Sequence, residues 1–147
     1  MPLGDELPRL LSESNILRAP HVVKVPKILI VEDDPILRLL ISEVLSCSGA
    51  LVKCVATADE GLALVESELW SLVITDIQTP GNIDGVDLAR TIIATHQDLP
   101  VVVTSGRTDI WASEAVPSAL FISKPWDIDC LQALVVNNVL RKFSVDE

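Results

Sequence analysis

Leu72-Val73-Ile74-Thr75-Asp76 is the stretch that decides the fold: an apolar run closed by a carboxylate. A continuous apolar run, as opposed to an alternating one, is the pattern of a strand covered on both faces, as in a parallel sheet. Open α/β sheets bind their ligands outside the carboxyl ends of such strands, so Asp76 is placed at the functional rim. Upstream, Ile28-Leu29-Ile30-Val31 runs into Glu32-Asp33-Asp34. Downstream, Val101-Val102-Val103 ends in Thr104-Ser105, and Leu120-Phe121-Ile122-Ser123 ends in Lys124-Pro125. Four strand-like segments thus deliver acids, a carboxylate, a hydroxyl and an ammonium to what reads as one edge.

Helical patterns fill the gaps between strands. Asp34 is a natural N-cap with Pro35 at the first helical position, and the helix runs through Ile36–Leu45 to a stop near Gly49. Leu51-Val52-Lys53-Cys54-Val55 reads as a further strand. Thr57-Ala58-Asp59-Glu60 has capping-box spacing and opens a helix expected to place Leu62, Val65 and Leu69 on one face. After Asp76 comes a turn-rich loop, Thr79-Pro80-Gly81-Asn82. Asp84 then caps a helix with Leu88, Ala89, Ile92 and Ile93 inward. Asp127 caps the last helix, with Ile128, Leu131, Leu134, Val135 and Val139 at core spacing. Strand and helix alternate from Lys27 onward, which implies a parallel sheet with helices on both faces. The segment Arg107–Pro117 is poorly patterned, and Pro117 ends it early, so its helix should be short. Residues 1–26, broken by Pro2, Pro8, Pro20 and Pro26, are expected to be a flexible extension to a domain spanning 27–147.

The 147 residues fit one domain with a real core. Hydrophobic residues make up 49% with only 3% aromatic, which points to a Val/Ile/Leu/Ala interior. A net charge of −10 argues against a nucleic-acid surface, since nothing could neutralise a row of phosphates. No apolar run approaches the ~20 residues of a spanning helix, and no signal peptide is present, so a cytoplasmic, soluble chain is expected. Cys47, Cys54 and Cys130 lack paired metal spacing and read as reduced structural thiols. His21 and His96 are too isolated for a metal site.

The rim residues have a common chemistry. Carboxylates ~4–5 Å apart repel by roughly 3–4 kcal/mol per pair at an effective dielectric of 20. A pocket of Glu32, Asp33 and Asp76 therefore needs a cation, and hard oxygen donors with room for water suit Mg²⁺. A strand-end aspartate can also be a plain helix cap, but the residues after Asp76 form a Pro-Gly turn and no helix.

With Val31-Glu32-Asp33-Asp34, Thr75-Asp76 followed four residues on by Pro80, Asp84-Gly85, Thr104-Ser105 and Lys124-Pro125 all in order, the chain from Lys27 to about Phe143 resembles the receiver domain of two-component response regulators. The resemblance implies a flavodoxin-like (βα)5 three-layer sandwich, α/β class, with a parallel sheet in order 2-1-3-4-5. It implies that Asp76 is the phosphoacceptor. Asp33, Asp76 and the backbone carbonyl of Gln78 would ligate Mg²⁺, with Glu32 linked through water. Lys124 would bind the phosphoryl oxygens, its bond to Pro125 being cis, and Thr104 and Phe121 would form the switch. The implied partners are a sensor histidine kinase or a histidine phosphotransfer protein upstream and an unknown downstream protein, with no nucleic acid or membrane involved. Chemistry would be limited to self-phosphorylation from a phosphodonor and slow autodephosphorylation. The last helix ends within a few residues of Glu147, so a stand-alone receiver is expected.

Three departures touch the output side. One extra residue lies between Pro80 and Asp84-Gly85, Trp126 stands where Phe or Tyr is usual, and the stretch from Thr104 to Lys124 is ~2 residues short. The alternative is a degenerate receiver acting as a phosphorylation-independent interaction module. A haloacid-dehalogenase-type phosphatase would need Asp-x-Asp after its first strand, and the chain's Asp127-Ile128-Asp129 opens a helix instead. A flavin or dinucleotide module would need a Gly-rich phosphate loop, which is missing.

Overall fold

Apolar runs without alternation form a sheet only if both faces are covered, and this one is covered on both. The computed structural model describes residues 25–106, 110–125 and 127–137. Its strands are β1 (Lys27–Val31), β2 (Leu51–Val55), β3 (Leu72–Asp76), β4 (Val101–Ser105) and β5 (Leu120–Ser123). Its helices are α1 (Pro35–Ser46), α2 (Ala58–Ser67), α3 (Gly85–Thr95), α4 (Ile110–Ala115) and α5 (Ile128–Val135). The five strands are parallel in the order β2-β1-β3-β4-β5. The fold is therefore the flavodoxin-like sandwich that the sequence implied, and α4 is short, with six residues.

Side chains alternate across the sheet and divide the core in two. Ile28, Ile30, Leu72, Ile74 and Val102 pack against Ile41 and Leu45 of α1 and Leu131 and Val135 of α5. Leu29, Val31, Val73, Val101 and Val103 face the other way, against Val65 of α2 and Leu88, Ala89 and Ile92 of α3. Fully burying each such side chain contributes about 1.5–3 kcal/mol. Together these residues hold the strand ends in fixed register.

The caps follow the sequence with one change. Asp34 accepts from the amides of Ile36 (2.9 Å) and Leu37 (3.4 Å). Asp84 and Asp87 form a reciprocal capping box on α3. Thr57 accepts from the Glu60 amide, but the Glu60 carboxylate takes the Thr57 hydroxyl and not the backbone amide. Gly49 has φ +87°, the left-handed turn that ends α1.

Three sequence expectations need correction. Leu69 lies beyond the end of α2 and is 84% exposed, because the helix stops at Ser67. Ile128 sits in the first turn of α5 and is exposed; Leu131 and Val135, further along, reach the core. Cys47 and Cys130 are exposed, leaving Cys54 as the one thiol of the three that packs against the core. The placements expected for His21, Trp126, Val139 and the extension before Val25 lie outside the described residues.

Candidate functional site

Strand alternation builds the site. Glu32 follows Ile28 and Ile30 on the α1/α5 face, Asp76 follows Leu72 and Ile74, and Thr104 follows Val102. The register pairs Val31 with Thr75 and Asp76 with Thr104, so these groups arrive at one level. Ladder bonds at the ends of the strands hold them there. The Glu32 amide donates to the Val55 carbonyl (3.0 Å), the Ile77 amide to Thr104 (3.0 Å), and the Lys124 amide to Ser105 (2.7 Å).

The side chains converge on Lys124. Its Nζ lies 2.9 Å from Glu32 Oε1 and 3.2 Å from Asp76 Oδ2. Carboxylate oxygens of Glu32, Asp33 and Asp76 all lie within 4.8 Å of one another. Glu32 is almost fully buried, Asp33 is exposed, and the Asp76 side chain keeps 14% of its surface. The site is thus a shallow acid bowl with one open side. The Lys124–Pro125 peptide is cis, as the resemblance implied.

Charge in this bowl is costly. Burial pushes the Glu32 carboxyl above its ordinary value, against the hydrogen bond and charge of Lys124 and an amide bond from Asp34. Burial also raises Asp76, against the pull of Lys124 and with a further push from Asp33. For Lys124 burial acts to lower the ammonium. The hydrogen bond to Glu32 and the charges of Asp76 and Glu32 outweigh it, and its pKa is raised. One ammonium among three carboxylates leaves the bowl short of positive charge, and oxygen donors at this spacing fit a hard divalent cation.

The remaining sequence candidates fall around this centre. Thr104 is 2% exposed, and among the described residues nothing hydrogen-bonds its hydroxyl. A buried hydroxyl without a partner is uncommon, and this one stands level with Asp76. Gln78 is exposed in the loop after Asp76. Phe121 pairs with Val103 and packs half-buried against the α2/α3 core, on the opposite face from Thr104.

Two contributors escaped the sequence reading. Arg38 of α1 donates from Nη1 to the carbonyls of Glu32 (2.8 Å) and Asp33 (3.2 Å). Its place four residues after the N-cap was a usable signal, since helical side chains lean toward the N-terminus. Gly85, noted only as part of a motif, gives its amide to the Ile77 carbonyl (2.8 Å). A Cβ there would collide with the carbonyl oxygen of Asp76 and stand 3.0 Å from Ile77 Cα. Nothing but glycine lets α3 start this close to the Asp76 strand end.

A parallel sheet of this order with an acid–lysine cluster at its carboxyl edge defines the receiver class of flavodoxin-like folds. The family model for the response regulator receiver domain matches residues 28–136, and the chain belongs to that family. It is 36% identical over 109 residues to the C4-dicarboxylate transport transcriptional regulatory protein DctD of Rhizobium meliloti. That match takes in 72% of this chain and 24% of DctD, so the chain spans about a quarter of that relative. A CheY-like receiver domain protein from Methanospirillum hungatei superimposes with a TM-score of 0.76 at 25% identity, covering 84% of this chain and 100% of that one. Response regulator TrrA of Thermotoga maritima, solved in complex with Mg²⁺-BeF, gives 0.70 at 26% identity, covering 78% and 100%. No helix among the described residues is long and apolar enough to cross a membrane.

Proposed function

We propose that this receiver takes a phosphoryl group from a phosphohistidine donor onto Asp76, and that the modified domain changes which protein it binds. The observation that carries this reading is the convergence of Glu32, Asp33 and Asp76 on one cation-deficient bowl with Lys124 across it. A carboxylate oxygen of Asp76 attacks phosphorus, the bond from phosphorus to the donor imidazole breaks, and its electron pair leaves with the imidazole. Asp33, Asp76 and the Gln78 carbonyl would hold Mg²⁺, with Glu32 beyond them. The ion would supply charge neutralisation on the phosphoryl oxygens and in-line orientation.

The chain's own residues do the rest. Lys124, freed from Asp76 as that carboxylate becomes an acyl phosphate, turns its donors to the phosphoryl oxygens. The Thr104 hydroxyl, without a partner among the described residues, would donate to one of them. Movement of Thr104 would then be read by Phe121 through the shared β4–β5 backbone, a local pull on a two-state element. The upstream partner is a histidine kinase or a histidine phosphotransfer protein in the cytoplasm, and the downstream partner is a protein. Turnover is limited to self-phosphorylation and slow autodephosphorylation.

Incubation with radiolabelled acetyl phosphate tests this. Labelling should require Mg²⁺, vanish in Asp76→Asn, and need a higher Mg²⁺ concentration in Asp33→Ala. Label that survives Asp76→Asn would move the site elsewhere. Failure of the wild type to label from either acetyl phosphate or a phosphohistidine kinase would leave a degenerate receiver.

A further inference from the structure

Arg38 places a full positive charge beside an acid cluster and spends it on neutral groups. Its Nη1 donates to the backbone carbonyls of Glu32 and Asp33, and it forms no ion pair with a carboxylate among the described residues. Those two carbonyls belong to the first residues after β1, where the ladder has run out. The Glu32 amide still pairs with Val55, whereas beyond it the chain has to turn into α1. The turn has three pins. The Asp34 amide donates to Glu32 Oε2 (3.2 Å), the Asp34 carboxylate caps α1, and Arg38 holds the two carbonyls from outside. The first two pins both use Asp34. The Asp34 cap reaches the first turn of α1; Arg38 ties the Glu32 and Asp33 carbonyls themselves to a helix that is anchored in the core by Ile41 and Leu45.

We infer that Arg38 is a positioning residue for the acidic turn: it fixes the Glu32–Asp33 backbone so that the exposed Asp33 carboxylate faces Asp76. The inference rests on the functional reading above, in which Asp33 and Asp76 share a divalent cation. Asp33 has no side-chain hydrogen bond among the described residues to orient it, so its direction is set by its backbone. Residues that orient a metal ligand without touching the metal typically change affinity by tenfold or more when removed.

The sign of the effect separates this role from a purely electrostatic one. A guanidinium near a cation site repels the cation, so loss of the charge alone would tighten Mg²⁺ binding. Loss of positioning weakens it. A merely structural role would lower the melting temperature and leave Mg²⁺ affinity where it was.

The test is Mg²⁺ titration by calorimetry on the full chain, comparing wild type, Arg38→Gln and Arg38→Lys, alongside acetyl phosphate labelling at varied Mg²⁺. Arg38→Gln is expected to weaken Mg²⁺ binding about tenfold. It should raise the half-saturating Mg²⁺ for labelling by a similar factor, while the rate at saturating Mg²⁺ stays within about twofold. Arg38→Lys, which keeps a donor and a charge on a shorter stem, should recover much of the loss, and it stands in if the Gln variant does not fold. Unchanged or tighter binding in Arg38→Gln, with the wild type binding normally, overturns the inference and leaves the functional reading intact. A wild type that binds no Mg²⁺ overturns both.

Discussion

Asp76 is held at the end of β3 in a state that suits its proposed chemistry better than it suits stability. Its carboxyl is raised by burial and by Asp33, and Lys124 offsets only part of that cost. A group whose pKa is raised on folding binds protons more readily in the native state, so its ionisation costs stability as pH rises. Without metal, stability from Asp76 and Glu32 is fully present below their ordinary values of 3.8 and 4.5. It is lost as pH climbs through their raised native values. Lys124, also raised, loses its contribution only in alkali, above its ordinary 10.5. Asp76→Asn removes a charge whose burial cost, with the repulsion from Asp33, outweighs its attraction to Lys124, so it should stabilise the metal-free protein at neutral pH by about 1–2 kcal/mol. The gap between variant and wild type should open as pH rises from about 4 and shrink when Mg²⁺ is added. Urea melts across pH 4–8 measure it, and an equal or less stable Asn variant at pH 7.5 would contradict the account.

The junction of β3 with α3 shows what an element boundary must satisfy here. After Asp76 the chain leaves the sheet at Ile77 and returns to it at Gly85, whose amide bonds the Ile77 carbonyl. The loop between is tied to the start of α2: Asp59 Oδ2 accepts from the Asn82 amide at 2.9 Å, and Thr79 Oγ1 accepts from the Ala58 amide at 3.4 Å. Gly81 has φ +117° and lies against Asp59, so a side chain there would meet both a strained backbone and the Asp59 carboxylate. Gly85→Ala would force α3 off the Asp76 carbonyl. Overpacking against backbone costs typically 1–3 kcal/mol and occasionally more, and a cost of about 3 kcal/mol is expected here. The loss should appear in denaturant melts together with slower labelling of Asp76. A variant of wild-type stability would mean that α3 can retreat freely.

On the scale of the whole molecule, the chain places its core on both faces of one sheet and leaves its acid–lysine cluster at a single edge. β1 starts at Lys27, whose amide bonds Ser71 Oγ (3.1 Å) and whose ammonium pairs with Glu68 (2.8 Å) and lies 4.6 Å from the Trp70 ring centroid. Among the described residues the core begins at Ile28, one position into β1. We propose that the extension before Val25 is dispensable, and a chain starting at Val25, which keeps the Pro26 carbonyl that accepts from the Leu51 amide, should keep its melting midpoint within about 2 °C and its labelling rate within about twofold. A drop of several kcal/mol on truncation would show that the Leu7–Leu17 segment belongs to the domain.

The sequence by itself determined the parallel strands, their order by family resemblance, the caps at Asp34, Asp84 and Asp127, and the acids, hydroxyl and lysine at the strand ends. Those features are local: apolar runs, cap residues and turn formers announce themselves within a few positions. Tertiary structure alone decided that Glu32, although read as the outer metal residue, is buried and the nearest partner of Lys124 at 2.9 Å. It also decided that Arg38 clamps carbonyls, that Leu69 and Ile128 stay outside the core, and that Gly85 is required by the backbone of Asp76, nine positions earlier at the end of β3. Each of these depends on distances between elements. Such distances are set by how the sheet and helices pack, and no window of sequence contains them.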